Sequence, residues 1–221
     1  MAKIVALIPA FNEEKRITKT VEGLKKVSDI NRIVVVDDGS TDDTAKLAEK
    51  AEAEVVSLKE NLGKGGALNR ILKTLDYDIL LLIDGDLSES AAEAGKLLEP
   101  VIAGDVDMTI ADFPKPDTKG GFGLVKGVAR WGIRRLTGAE MDEPLSGQRA
   151  IKRVVIEKIN EFSDGFGVEV GMTIDALQKG FKVKEVPTTM SHAETGRDIR
   201  GFMHRGRQFL DVIKVVLNHS R

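Results

Sequence analysis

Apolar residues in the first half of the chain come in short β-branched runs separated by stretches with helical spacing. Residues 4–8 (Ile-Val-Ala-Leu-Ile) predict a strand closed by Pro9. Further strands are expected at 33–36, 54–58, 78–83 and 107–111. The run Ile33-Val-Val-Val36 does not alternate with polar residues, so both of its faces are expected to be buried. Ile17, Val21 and Leu24 recur at helical spacing and predict a helix over 15–27. Helices are also expected at 41–53, with Ser40 or Thr41 as N-cap, at 64–75, and at 90–103, opened by Ser88 or Ser90. The second half is less regular. Helices are predicted at 124–136, 152–160, 168–179 and 201–217, and a strand at 182–186. Segments 113–123, 139–147 and 188–197 read as loops.

An alternating β-α-β-α order implies an α/β fold. Its central, mostly parallel sheet is joined by right-handed crossovers and carries helices on both faces. Ligands of such sheets sit beyond the C-terminal ends of the strands. Phe11-Asn-Glu-Glu14, Asp37-Asp-Gly-Ser40 and Asp84-Gly-Asp86 all fall at such ends. Three loops far apart in sequence therefore converge on one rim. With no repeat or linker among its 221 residues, the chain is expected to form one domain.

Composition narrows the function. There is no cysteine, which excludes disulfides and thiolate metal sites and suits a cytoplasmic setting. A formal net charge of -2 disfavours a bulk-basic nucleic-acid binder. The apolar stretch after Lys3 is too short for a secretory core, and Ile79-Leu-Leu-Leu-Ile83 is far below a membrane span. A soluble or peripheral protein is expected.

The rim carries the candidate chemistry. Asp84 and Asp86, one residue apart at a strand end, can share a hard divalent cation such as Mg2+ or Mn2+. Such an ion also binds phosphates, although Asp-Gly is equally the chemistry of a plain turn. Asp38 can accept from a base N–H or from ribose hydroxyls. Phe11 can flank a base and Glu13 can hold ribose; the alternative for that segment is an acidic helix start favoured by the helix dipole. Asn61-Leu-Gly-Lys-Gly-Gly-Ala67 is a glycine-rich turn in which Lys64 and free N–H groups suit a diphosphate or a base. It has neither dinucleotide-fold nor P-loop spacing. Lys126, Arg130, Arg134 and Arg135, with no acidic residue over 124–136, suit a phosphate-bearing acceptor, an anionic membrane surface, or simply a solvated face. His192 reads as a third metal ligand, as a contact of the diphosphate, or as a surface histidine.

The four N-terminal loops, in this order, resemble the family 2 glycosyltransferases of the GT-A fold. The matching motifs are Pro9-Ala-Phe-Asn-Glu-Glu14, Val35-Val-Asp-Asp-Gly-Ser-Thr-Asp42, Asn61-Leu-Gly-Lys-Gly65 and Asp84-Gly-Asp86. The resemblance implies an inverting transfer from a UDP- or GDP-linked sugar, with Asp84, Gly85 and Asp86 at the metal-bound diphosphate. It implies Asp38 and Gly39 at the base, and Pro9, Ala10, Phe11, Asn12 and Glu13 around base and ribose. The second half is similar to polyprenyl- or dolichyl-phosphate sugar synthases through residues 127–138, Leu145-Ser-Gly-Gln-Arg149, Phe166-Gly-Val-Glu169 and Lys184-Glu-Val-Pro187. Asp84-Gly-Asp-Leu-Ser-Glu89 stands where that group more usually has Asp-Ala-Asp-Leu-Gln-His. His192 is closer to transferases acting on small acceptors, including phosphoglycerate.

The resemblance divides the chain into a nucleotide-sugar half, 1–112, and an acceptor half, 113–221, ending in an amphipathic helix. With a polyprenyl phosphate as acceptor, Arg130, Arg134, Arg149 and Arg197 would hold the phosphate and the basic C-terminal helix would meet the cytoplasmic membrane face. With a soluble hydroxyl acceptor a base is required, and Glu169 is preferred over Asp142. A non-catalytic nucleotide-sugar-binding regulator is the third reading.

Overall fold

The computed structural model describes residues 2–114, 123–159, 162, 167–191 and 199–219, without the side chains of 199–208. Its strands are β1 (Ile4–Ala10), β2 (Arg32–Asp37), β3 (Glu54–Ser57), β4 (Ile79–Leu82), β5 (Met108–Asp112), β6 (Arg149–Lys152) and β7 (Val183–Pro187). Its helices are α1 (Ile17–Leu24), α2 (Thr44–Lys50), α3 (Gly63–Ile71), α4 (Gly95–Ile102), α5 (Gly123–Thr137), α6 (Arg153–Lys158), α7 (Val168–Gln178) and α8 (Ile199–Asn218). A 3-10 segment, Ser88–Ala94, leads into α4, so the helix expected over 90–103 is split.

The seven strands form one sheet in the order β3-β2-β1-β4-β6-β5-β7. β1, β2, β3 and β4 are mutually parallel, and β5 is parallel to β7. β6 runs antiparallel to both β4 and β5. The sheet is buried on two sides, which explains the uninterrupted apolar runs. Along β1, Val5 and Leu7 join one core with α3, α5, α7 and α8. Ile4, Ala6, Ile8 and Ala10 join the other with α1, the 3-10 segment and α4.

β6 differs from the expectation of a loop running to 147 and a helix from 152. It has only four residues and opens on an arginine, so no apolar run announces it. It exists because β4 and β5 flank it and supply partners on both edges. Its reversed direction sets the start of β6 beside the C-terminal ends of β4 and β5: Leu82 and Ile110 both pair with Arg149. The residues just before β6 thus reach the ligand rim. The winding of the sheet reverses between β1 and β4, which places the crevice between the loops after those two strands.

Candidate active site

The rim loops are fastened to one another in sequence around the crevice. Asn12 takes the left-handed conformation, φ 57°, which a short polar side chain tolerates. Its N–H donates to Ser40 Oγ at 2.9 Å, and its Oδ1 accepts the Thr41 N–H at 2.9 Å. The Glu13 N–H donates to Thr44 Oγ1 at 2.7 Å. Ser40 and Thr41 therefore serve the neighbouring loop and do not cap α2, whose N-cap position is Asp43. Phe11 is 45% exposed at the mouth of the crevice.

Asp38 fastens the second loop to the third. Its buried carboxylate accepts the N–H groups of Leu62 and Gly63, each at 2.8 Å. Gly39 has φ +72°, and a Cβ there would fall 2.9 Å from the carbonyl carbon of Glu60. Neither the conformation nor the space admits a side chain. The aspartate expected at the base is thus first a loop clamp; each oxygen still has a lone pair for a second donor.

The centre of the site is the ammonium of Lys64, in the first turn of α3. It lies 2.7 Å from Asp84 Oδ1 and 2.8 Å from Glu169 Oε1. The other Asp84 oxygen accepts the Gln148 side-chain amide at 2.9 Å. Glu169 is presented from the first turn of α7 and is buried. Gly147 leaves the room: a Cβ there would sit 2.5 Å from Lys64 Nζ and 2.7 Å from Asp84 Oδ2. Burial alone would lower the Lys64 pKa, but the Asp84 and Glu169 carboxylates more than offset it and hold it above the ordinary lysine value.

Gly85 touches the first loop, since a Cβ on it would meet Glu13 Cγ at 3.4 Å and Ala10 Cβ at 3.5 Å. Burial raises the Glu13 pKa; Arg16, 2.8 Å away, opposes the shift and the charge of Asp86 adds to it. Glu13 and Asp86 thus face a common space.

Gln148 and Gly147 were not among the residues expected at the site. Residue type alone gives a glycine and a glutamine in an irregular stretch no role; their one signal was the resemblance carried by Leu145-Ser-Gly-Gln-Arg149, and β6 delivers them to Asp84. Arg149, expected at an acceptor, lies instead in the interior at 0% exposure. It donates to Ser146 O at 3.0 Å, Thr173 Oγ1 at 2.8 Å and Pro144 O at 3.3 Å. Burial pushes its pKa down to about 10, against the pull of Glu169, Glu185 and Asp84. It shapes the loop that carries Gly147. Arg130 is held by Asp142, donating to its carbonyl and, at 2.6 Å, to its carboxylate. Arg134 pairs with Glu140 at 3.1 Å. These two arginines line a separate cleft of about 440 Å³ with Trp131, Met141 and Glu185. Asp142, the other candidate base, belongs to that cleft and not to the Asp84 cluster. His192 and Arg197 lie outside the described residues.

The donor set suits a divalent ion that is shared with a ligand. Among the described residues, no three acidic or histidine side chains form a cage for a metal. Asp84 and Asp86 offer only hard oxygens, beside a cationic side chain able to meet phosphate. An ion held by one or two carboxylates and completed by phosphates is the usual arrangement for Mg2+ and related ions.

The profile of glycosyl transferase family 2 matches residues 5–144. The chain belongs to that family. Over 200 residues it is 32% identical to glycosyltransferase AglJ of Haloferax volcanii, covering 88% of this chain and 65% of that one. It is 30% identical over 219 residues to polyprenol monophosphomannose synthase of Mycolicibacterium smegmatis, with 88% and 79% covered. Among solved structures, glucosyl-3-phosphoglycerate synthase of Mycobacterium tuberculosis with Mn2+, UDP and phosphoglyceric acid superposes with a TM-score of 0.84. That match has 27% identity and covers 99% of this chain and 78% of that one. Family 2 membership and this superposition bear out the GT-A expectation for the sheet and its flanking helices. A polyprenol monophosphomannose synthase and a glucosyl-3-phosphoglycerate synthase thus both resemble this chain.

Proposed function

We propose that this family 2 member is a metal-dependent hexosyltransferase that moves a sugar from a nucleoside-diphosphate donor to a phosphate-bearing acceptor. One observation carries the reading. Lys64 bridges Asp84 and Glu169, and Gln148 holds the other Asp84 oxygen, at the point where the sheet reverses its winding. In this reading Pro9 to Glu13, Asp38 and Gly39 bind the nucleoside, and Lys64 meets the diphosphate. Asp84 and Asp86 hold Mg2+ or Mn2+, with His192 as a further ligand. When bound, the ion supplies positive charge to the departing diphosphate.

A polyprenyl phosphate is the first acceptor proposed. Its oxygen is already anionic, so attack on the sugar C1 as the diphosphate leaves needs no strong base, and the main requirement is charge stabilisation. Exposed Leu124 and Trp131 on α5, beside Arg134 and Arg135, support a peripheral membrane contact. Among the described residues no helix is long and apolar enough to cross a membrane. The second reading, a small acceptor such as phosphoglycerate, is favoured by the superposition on the mycobacterial synthase. There Glu169 would accept the hydroxyl proton as C1 is attacked. Arg130, Arg134 and Arg197 remain proposed acceptor contacts; for Arg130 and Arg134 that requires exchanging Asp142 and Glu140 for the acceptor. Arg149 is not among them.

The test offers labelled UDP- and GDP-sugars, with Mg2+ or Mn2+, to either undecaprenyl phosphate or phosphoglycerate. Label entering the organic phase supports the lipid; acceptor-dependent label that stays aqueous supports the small acceptor. Metal-dependent nucleotide binding with no transfer to either would sink the enzymatic reading in favour of a binding regulator.

A further inference from the structure

Lys64 occupies two carboxylates that the proposed reaction needs for other purposes. Its ammonium lies 2.7 Å from Asp84 Oδ1 and 2.8 Å from Glu169 Oε1, while Gln148 takes the second Asp84 oxygen at 2.9 Å. The seat is built around the ammonium by four elements: the start of α3, the end of β4, the start of β6 and the first turn of α7. Gly147 completes it, because any Cβ there would fall 2.5 Å from Nζ.

A divalent ion approaching Asp84 therefore meets a carboxylate that already carries a cation. Taking Asp84 from Lys64 would leave an ammonium beside the ion with less negative charge to share, which opposes binding of the ion alone. A diphosphate reverses the balance. It brings negative charge for both cations, so the ammonium can pass to phosphate while Asp84 passes to the ion. The same movement takes the cation off Glu169, which then has a free lone pair to offer a hydroxyl or its proton.

We propose that Lys64 is an exchangeable counter-ion that occupies Asp84 and Glu169 until the nucleoside diphosphate arrives, so that metal and diphosphate enter together and Glu169 is released only once the donor is seated. This rests on the reading of the crevice as a metal–diphosphate site. Lys64 is a positioning residue towards Glu169 and a direct contact of the diphosphate.

Binding experiments test it without turnover. Calorimetry on the full chain would measure Mn2+ alone, UDP or GDP alone, and Mn2+ at saturating nucleotide. For the unaltered protein the nucleotide should strengthen Mn2+ binding by about tenfold or more, and Mn2+ should strengthen nucleotide binding by the same factor, because coupling is reciprocal. In Lys64→Met, Mn2+ alone should bind about tenfold more tightly, and the enhancement by nucleotide should shrink by about the same factor, leaving the part that comes from phosphate ligation of the ion. Lys64→Gln, which keeps a polar tip, should move both quantities the same way and serves if the methionine variant folds poorly. Folded variants with unchanged affinity for Mn2+ alone would overturn the proposal, as would independent binding of Mn2+ and nucleotide to the unaltered protein. If neither UDP nor GDP binds with Mn2+, the donor reading itself fails and this inference falls with it. If they bind but the variants leave Mn2+ affinity unmoved, the counter-ion role alone is lost.

Discussion

Arg149 shows how a single side chain organises the site without touching a ligand. Its guanidinium donates to two carbonyls of the loop before β6 and to Thr173 on α7. Those bonds set the path of Pro144 to Gly147, and hence the gap that Lys64 fills. Arg149→Met should leave three acceptors in the interior without that donor and cost about 3–5 kcal/mol of stability, read by urea denaturation. Lysine at the same position keeps the charge but lacks the planar fork, so it should recover only part of the loss. A stable Arg149→Met with a raised acceptor KM would restore the acceptor role that its burial argues against. His219 offers a pH-dependent counterpart. Its Nδ1 lies 2.8 Å from the Val215 carbonyl and its Nε2 3.3 Å from Asp175, where Lys179 also approaches at 3.7 Å. The adjacent Asp175 carboxylate raises the histidine pKa above 6.5, burial opposing it. Because the folded state holds the proton more tightly, the gain in stability is complete below the unfolded pKa of about 6.5 and fades as pH rises through the folded value. Melting curves of the unaltered protein and His219→Ala should therefore differ most near pH 5.5 and converge towards pH 9. A constant gap would remove the ion pair as its cause.

At the scale of elements, α5 and α8 pack at a glycine. A Cβ on Gly132 would meet Val216 Cγ2 at 2.4 Å and Cγ1 at 3.1 Å. Val216 is buried and its β-branched side chain has little rotamer freedom. Gly132→Ala should gain about 0.5–1 kcal/mol of helix preference but lose about 1–3 kcal/mol to overpacking. A net loss on the order of 1–2 kcal/mol is expected. Adding Val216→Ala makes room for the new methyl, so the double variant should be more stable than the sum of the two single changes predicts, a coupling that a thermodynamic cycle measures. Additive losses would mean that the helices separate slightly and do not clash. β6 matters at the same scale: its reversed direction is what brings Gly147 and Gln148 to a rim otherwise built by parallel strands.

At the scale of the molecule, the site is a seam between distant parts of the chain. Lys64 and Asp84 come from the first half; Gly147, Gln148 and Glu169 come from the second. Asp84 is already held by Lys64 and Gln148, so the fold should not depend on an ion. A chelator should leave the unfolding midpoint within about 1 °C of its value, since binding energy stabilises only what binds it. The Mn2+–UDP complex, binding as one ligand at about one hundred times its dissociation constant, should add about 2.7 kcal/mol. For a chain of this size that is a rise of about 5–10 °C in Tm. A large loss of Tm on chelation alone would point to a structural metal instead.

The rim was legible from the chain alone because parallel strands need uninterrupted apolar runs, and the polar residues that end them stand out by contrast. Those endings place Asp38, Lys64 and Asp84 at one edge of an α/β sheet. The partners were not legible. A carboxylate reads as a metal or base ligand in any sequence, whereas its neighbours depend on strand order and direction. The short antiparallel β6, held by pairing with both flanking strands and not by its own composition, set Gln148 against Asp84. It also turned Arg149 inward and left Gly147 where Lys64 needed space. Residue type thus marks which groups are chemically able, and the long-range packing of strands and helices selects which of them meet.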